Sequence, residues 1–231
     1  MKLIILAGGS GTRFYPLTKT LPKGLIPIEG KPLLEHTLEP YLKSVSDIII
    51  VINDELGHMI KEYFGDVYNN HNVLYVVQKS SDKKGTMSAL NLCRDYIENN
   101  ELFIVSNCDD VFMESELVGV IDKKEIGMGI TKTTMPRAYH GIDVNDGYIV
   151  GLRRHTKEDP DLIEDSFANG FYVLDKKVFE FEPVPIMDGE LGLPQTLFAH
   201  LSEYPLKAFN FSMWQCVNNP TDLENARKFL K

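Results

Sequence analysis

Four short apolar runs, each of strand length and rich in β-branched or aromatic residues, constrain this chain more than any other feature. They are residues 3–7 (LIILA), 47–53 (DIIIVIN), 73–78 (VLYVVQ) and 102–107 (LFIVSN). Strands so continuously hydrophobic are buried on both faces, as in a parallel sheet covered by helices. Between them, helical spacing recurs: Leu33, Leu34, Thr37, Leu38, Tyr41 and Leu42, then Met59, Ile60, Tyr63 and Phe64, then Met87, Leu90 and Asn91 toward Tyr96-Ile97. Pro40 is expected to kink or end the first of these helices. The alternation predicts an α/β fold with a mostly parallel, doubly wound sheet flanked by helices. Ligands on such sheets bind beyond the C-terminal strand ends.

The second half is less regular. Residues 127–133, 147–153 and 171–174 read as strands and 193–201 as a helix. Asn219 as N-cap, Pro220 in the first turn and the acidic Asp222 lead a closing helix to Leu230. No linker, repeat or low-complexity stretch divides the 231 residues, which predicts a single domain over 1–231.

The net charge of −9, without any run of like charges, argues against a nucleic-acid partner, which needs a clustered basic face. Hydrophobic residues at 43% and charged ones at 25% suit a soluble globular protein. Cys93, Cys108 and Cys216 are widely spaced, with no zinc pattern, and are expected as reduced thiols. The opening apolar run is too short for a signal segment or a membrane span, so a cytoplasmic protein with no membrane partner is expected.

Gly8-Gly9-Ser10-Gly11-Thr12-Arg13 follows the first strand directly. Glycines let backbone N–H groups approach an anion, and successive amides in a turn form an anion-binding concavity. Arg13 adds a planar donor fork for phosphate oxygens. A Walker loop is excluded because Thr12-Arg13 stands where Lys-Ser/Thr is required, and the dinucleotide fingerprint is excluded by Phe14. The plain alternative is a glycine-rich surface turn, disfavoured by three glycines and an arginine at this place. Lys23, between rigid Pro22 and flexible Gly24, suits a fixed ammonium facing the same anion. Asp109, at the end of an apolar strand, reads equally as a carboxylate for Mg2+ or as a helix N-cap ahead of Ser115 and Glu116.

Together GGSGTR, Pro16-Leu17-Thr18, Pro22-Lys23-Gly24-Leu25 and Gly30-Lys31-Pro32-Leu33-Leu34 resemble the sugar-1-phosphate nucleotidyltransferase family. The likeness continues through Gln78…Gly85-Thr86, Asn107-Cys108-Asp109-Asp110, His140-Gly141-Ile142, Asn169-Gly170-Phe171-Tyr172 and Trp214…Asn219–Leu223. It implies a Rossmann-like, GT-A-like fold, with a nucleotide-binding half over about 1–133 and an acceptor-binding half over about 134–231. It also implies transfer of a nucleoside monophosphate to a sugar 1-phosphate with release of pyrophosphate. Arg13, Lys23 and Asp109 are then the catalytic set, with Mg2+ on Asp109 and Asp110 a second choice. Leu6, Ala7, Gly8, Gly9, Ser10, Gly11, Thr12, Arg13, Gln78, Gly85 and Thr86 hold the nucleotide. Asn107, Gly141, Arg154, His155 and Asn169 hold the acceptor. Gln78 facing a pyrimidine edge favours UTP, dTTP or CTP.

Two positions depart from the family pattern. Cys216 stands where a second metal-binding aspartate is expected, and a thiol is a poor ligand for a hard cation. Arg154-His155-Thr156 replaces a Glu-Lys-Pro clamp, which points to a different acceptor. The alternatives are therefore a cytidylyltransferase acting on a phosphorylated alcohol such as phosphocholine, and a silent nucleotide-binding module. The oligomeric state is open.

Overall fold

The computed structural model describes residues 1–186 and 189–231. Along the chain, β1 (Leu3–Ala7) is followed by the short strands β2 (Pro27–Ile28) and β3 (Lys31–Pro32) and by helix α1 (Leu33–Leu38). Next come β4 (Ile48–Asn53), α2 (Gly57–Phe64), β5 (Val67–Tyr68), β6 (His71–Gln78), α3 (Thr86–Asn91) and β7 (Phe103–Asn107). Then follow β8 (Asp110–Phe112), α4 (Glu114–Ile121), β9 (Gly127–Pro136), β10 (Gly141–Asn145), β11 (Tyr148–Arg153) and β12 (Leu162–Leu174). The chain closes with β13 (Val184–Pro185), β14 (Leu191–Gly192), α5 (Leu193–Ala199), β15 (Lys207–Phe211), β16 (Trp214–Cys216) and α6 (Pro220–Phe229).

Ten strands form one sheet in the order β10-β11-β15-β9-β12-β7-β1-β4-β6-β5. The four apolar runs of the first half are its parallel centre, β7-β1-β4-β6. The strand pairings make β9, β10 and β15 run in that same direction, with only β5, β11 and β12 opposed. All five residues of β1 are buried. Strand alternation sends Ile4 and Leu6 to the face packed with Met87, Leu90 and Leu197, and Leu3, Ile5 and Ala7 to the face packed with Leu34, Ile60 and Leu117. Two helical layers are thereby cemented to one sheet.

Local chemistry sets the helix ends. Pro40 ends α1, and the chain passes into a 3-10 turn over Glu39–Tyr41. Asn53 Oδ1 accepts from the amides of Glu55, Leu56 and Gly57, starting α2. Asn219 and Asp222 form a reciprocal capping box on α6. This helix packs Ala226 and Leu223 beneath Phe14, Ile28 and Val217, so the C-terminus supports the loops that follow β1. The strand expected at 171–174 departs from the sequence expectation. β12 begins at Leu162 rather than near 171, and its pairing with β9 shifts register between Ala168 and Tyr172. That irregularity aims Asn169 and Gly170 at the end of β7. Among the described residues no helix is long and apolar enough to cross a membrane.

Candidate active site

A cleft of about 600 Å3 opens beyond the C-terminal ends of β1 and β7, a size suited to a small-molecule ligand. Its lining includes Leu6, Gly8, Gly9, Ser10, Gly11, Thr12, Arg13, Lys23, Gln78, Gly85, Thr86, Asn107, Asp109 and Asn169. Residues separated by more than a hundred positions are thus brought to one place, where a parallel sheet collects its loops.

The glycine turn leaves β1 and enters a 3-10 turn at Thr12–Phe14. Thr18 Oγ1 donates to Gly11 O at 2.7 Å, which pins the turn from below. Arg13 Nη1 donates to Asn218 Oδ1 at 3.1 Å, tying the turn to the loop ahead of α6. Lys23 Nζ donates to Asp109 Oδ2, and the two side chains are only 13% and 17% exposed. Burial alone would lower the lysine, but the Asp109 carboxylate outweighs it and holds the ammonium above its ordinary value.

Asp109 lies in the turn between β7 and β8, and α4 starts only at Glu114 with Met113 as its N-cap. The helix-cap reading of Asp109 is therefore incorrect. Its neighbour Asp110 also lines the cleft, at its floor and 3% exposed, where it accepts from Asn107 Nδ2 at 2.8 Å and Trp214 Nε1 at 2.8 Å. Burial, and the Asp109 charge beside it, push the Asp110 carboxyl well above the ordinary carboxylate value, against the pull of those two donors. Cys216 lines the same cleft, paired in register with Asp110 across β16 and β8. Burial, then the carboxylates of Asp110, Asp222 and Asp109, push its thiol up to about 12. The thiol is protonated at neutral pH and a poor donor to a hard cation.

On the opposite wall, Gln78 is 5% exposed and donates Nε2 to Lys83 O at 3.0 Å. Gly85 has φ +104°, and a Cβ there would stand 2.3 Å from Leu191 O. Only glycine allows the two backbones to meet. The contact is closed by Leu191 N donating to Lys84 O at 2.8 Å and Leu193 N donating to Thr86 Oγ1 at 2.9 Å.

Four expected positions lie outside the cleft lining. Ala7 turns its side chain into the core beneath α1 and α2. Gly141 lies against Asp165, whose Oδ2 would be 2.0 Å from a Cβ at that position. Arg154 is exposed and does not line the cleft. His155 is tucked behind β12, its ring 6.3 Å from that of Phe167 and its Nε2 3.7 Å from Asp165 Oδ2. Arg153, not Arg154, engages acids here: Nη1 donates to both Asp165 oxygens, and Nη2 pairs with Asp143. Asn169 reaches the cleft, but its amide donates to Thr131 Oγ1 and its oxygen accepts from Phe171 N. Sequence reasoning missed Asn53, Asp54, Lys84, Tyr139, Trp214 and Asn218 as lining residues. Most lie in loops, where no periodicity marks them; Lys84 and Trp214 adjoin or belong to recognised motifs.

Among the described residues no three His, Cys, Asp or Glu side chains converge as a metal cage. Mg2+ commonly binds through one or two carboxylates plus substrate phosphates and waters. Asp109, at the strand end beside the glycine turn, fits such a substrate-borne ion, and a thiol at 216 does not extend the donor set.

A model of the nucleotidyl transferase family matches residues 2–231. The bifunctional protein GlmU of Methanococcus vannielii is 31% identical over 238 residues, covering 99% of this chain and 55% of that protein. A bifunctional sugar-1-phosphate nucleotidylyltransferase/acetyltransferase of Sulfurisphaera tokodaii is 28% identical over 237 residues, covering 99% and 55%. The chain spans about half the length of the curated relatives it matches. Among solved structures, the inositol-1-phosphate CTP transferase of T. maritima shares the fold, with a TM-score of 0.83 at 22% identity over 99% of this chain and 94% of that one.

Proposed function

This chain belongs to the nucleotidyl transferase family, and we propose that it transfers the nucleoside monophosphate of a triphosphate to a phosphorylated small molecule, first of all a sugar 1-phosphate. The observation that carries the reading is the convergence of the Gly8–Gly11 turn, Arg13, Lys23 and Asp109 on one cleft. The likeness to the bifunctional sugar-1-phosphate nucleotidylyltransferase/acetyltransferase of Sulfurisphaera tokodaii supports the choice of acceptor.

In this reading the amides of the glycine turn and the Arg13 guanidinium hold the triphosphate. Lys23 lies between the α-phosphate and the acceptor phosphate and reduces their repulsion. An acceptor phosphate oxygen forms a bond to the α-phosphorus while the bond to the bridging α,β-oxygen breaks, and that oxygen leaves with pyrophosphate. No protein nucleophile is needed, so the side chains act by positioning and charge neutralisation. Asp109 would hold Mg2+ when it arrives with the triphosphate, and the ion would supply charge neutralisation at the phosphate oxygens. Gln78, turned by its bond to Lys83, is set to read the base, with UTP, dTTP or CTP favoured. One domain with a nucleotide half and an acceptor half, in the cytoplasm where triphosphates are abundant, belongs to the same proposal.

The acceptor end favours one second reading. Arg154 and His155 lie outside the cleft lining, which removes the clamp expected for a sugar and leaves room for a cytidylyltransferase using a phosphorylated alcohol. Incubation with each triphosphate, Mg2+ and a panel of sugar 1-phosphates plus phosphocholine, read as pyrophosphate release, separates these readings. Release with a sugar 1-phosphate supports the first; release only with CTP and phosphocholine supports the second. Nucleotide binding without release from any pair refutes both.

A further inference from the structure

Asp110 is the only charged residue in the core of the described structure, at 3% exposure. The nearby ammonium of Lys23 pairs with Asp109 instead. A carboxylate buried in this way costs several kcal/mol unless its oxygens are well matched. Both partners of Asp110, Asn107 and Trp214, line the cleft. An indole N–H can only donate, so it occupies Oδ1 and leaves Oδ2 for Asn107. Gly170 presses on the same group: a Cβ there would stand 2.0 Å from Asp110 Oδ2 and 2.4 Å from Asn107 Nδ2. The floor of the cleft is therefore closed tightly around this pair.

We propose that Asp110 is a positioning residue that locks the Asn107 amide with its NH2 inward and its oxygen toward the acceptor, so that Asn107 reads a hydrogen-bond donor, a hydroxyl or an amine, on the acceptor molecule. The inference rests on the transfer reading above. Both Asp110 oxygens accept here, Oδ1 from Trp214 and Oδ2 from Asn107, whereas an amide has one donating and one accepting end. Committing Nδ2 to Asp110 fixes which end is left over. Among the described residues, Oδ1 of Asn107 takes no protein donor and is not sealed from solvent.

The test is Asp110→Asn. Asparagine keeps one oxygen for Trp214 but sets an NH2 against Asn107, whose amide must turn over and show its donor to the acceptor. The KM for the acceptor is expected to rise about tenfold, the scale of one lost hydrogen bond with a mismatched group, while the KM for the triphosphate moves by less than about twofold. In an Asn107→Ala background the same change is expected to add less than about twofold, because residues acting through one another are not additive. An unchanged acceptor KM, or an equal rise in both backgrounds, overturns the inference. Should Asp110→Asn fail to fold, Asn107→Ala alone is expected to raise the acceptor KM by about the same factor, and an unchanged value overturns the inference equally. An unmutated protein that releases no pyrophosphate with any pair defeats the transfer reading and this inference with it. An active enzyme indifferent to Asp110→Asn defeats only the latter.

Discussion

Lys23, in the turn after Pro22, donates its ammonium to the carboxylate of Asp109 at the end of β7, across a sequence separation of 86. The pair joins the loops of two adjacent parallel strands, β1 and β7, at the mouth of the cleft. It places one fixed positive and one fixed negative group where a triphosphate and its cation would meet. Neither charge is free in bulk water, so each acts in a medium where electrostatic effects are strong.

Lys23→Ala and Asp109→Asn are each expected to lower turnover by roughly a hundredfold or more, the scale of removing one electrostatic stabiliser. Steady-state pyrophosphate release checks this, with circular dichroism melts to verify folding. An Asp109→Asn protein with a near-normal rate contradicts the metal assignment.

Cys216→Asp exchanges a thiol raised to about 12 for a carboxylate at the same edge of the cleft. The concentration of Mg2+ giving half-maximal turnover is expected to fall severalfold, since hard cations prefer oxygen ligands. A higher Mg2+ requirement would show that position 216 does not face the ion.

How far the sequence alone reveals this site depends on the range of the interactions involved. The parallel strands were legible because burial on both faces leaves a continuous apolar run, and the glycine turn because it follows such a run without a break. Asp109 was legible as a strand-end carboxylate. The bonding of its neighbour Asp110 was not, because it depends on Trp214, 104 positions away, and on the register of β16 against β8. Of the expected acceptor residues, Asn107 and Asn169 reach the cleft lining, whereas Gly141, Arg154 and His155 do not. Arg153 is held by Asp143 and Asp165 across three strands, and His155 lies 3.7 Å from the same Asp165, contacts between strands that no local pattern marks. Neither the bulge within β10–β11 nor that in β12 has a one-dimensional signature.

Gly170→Ala is expected to destabilise the protein by about 2 kcal/mol or more, because φ is +81° and the added methyl meets Asp110 and Asn107. Gly151→Ala is the control: no heavy atom lies within 4 Å of its Cβ position, and its effect should stay within about 0.5 kcal/mol. Thermal or denaturant melts compare the two, and equal stabilities would contradict the packing described at the cleft floor.

Glu116 of α4 clasps the turn that carries β15 into β16. Its Oε1 accepts from Ser212 N at 2.9 Å and from the Ser212 hydroxyl, and its Oε2 accepts from Met213 N at 3.2 Å. Burial would raise this carboxyl, but the Ser212 and Met213 donors outweigh it and hold the folded value below the ordinary glutamate value of 4.5. A depressed carboxyl contributes stability above the unfolded value and loses it as pH falls through the folded one. The melting-temperature gap between the unmutated protein and Glu116→Gln should therefore be constant near neutrality and shrink once pH drops below 4.5. A gap that widens in acid would refute the clasp.

A crystal structure of this chain with a non-hydrolysable nucleoside triphosphate and Mg2+ tests the central claim most directly. The account predicts phosphate oxygens within hydrogen-bond distance of the Gly8–Gly11 amides and Arg13, with the metal on Asp109. A triphosphate bound elsewhere, with those amides facing only water, would contradict it.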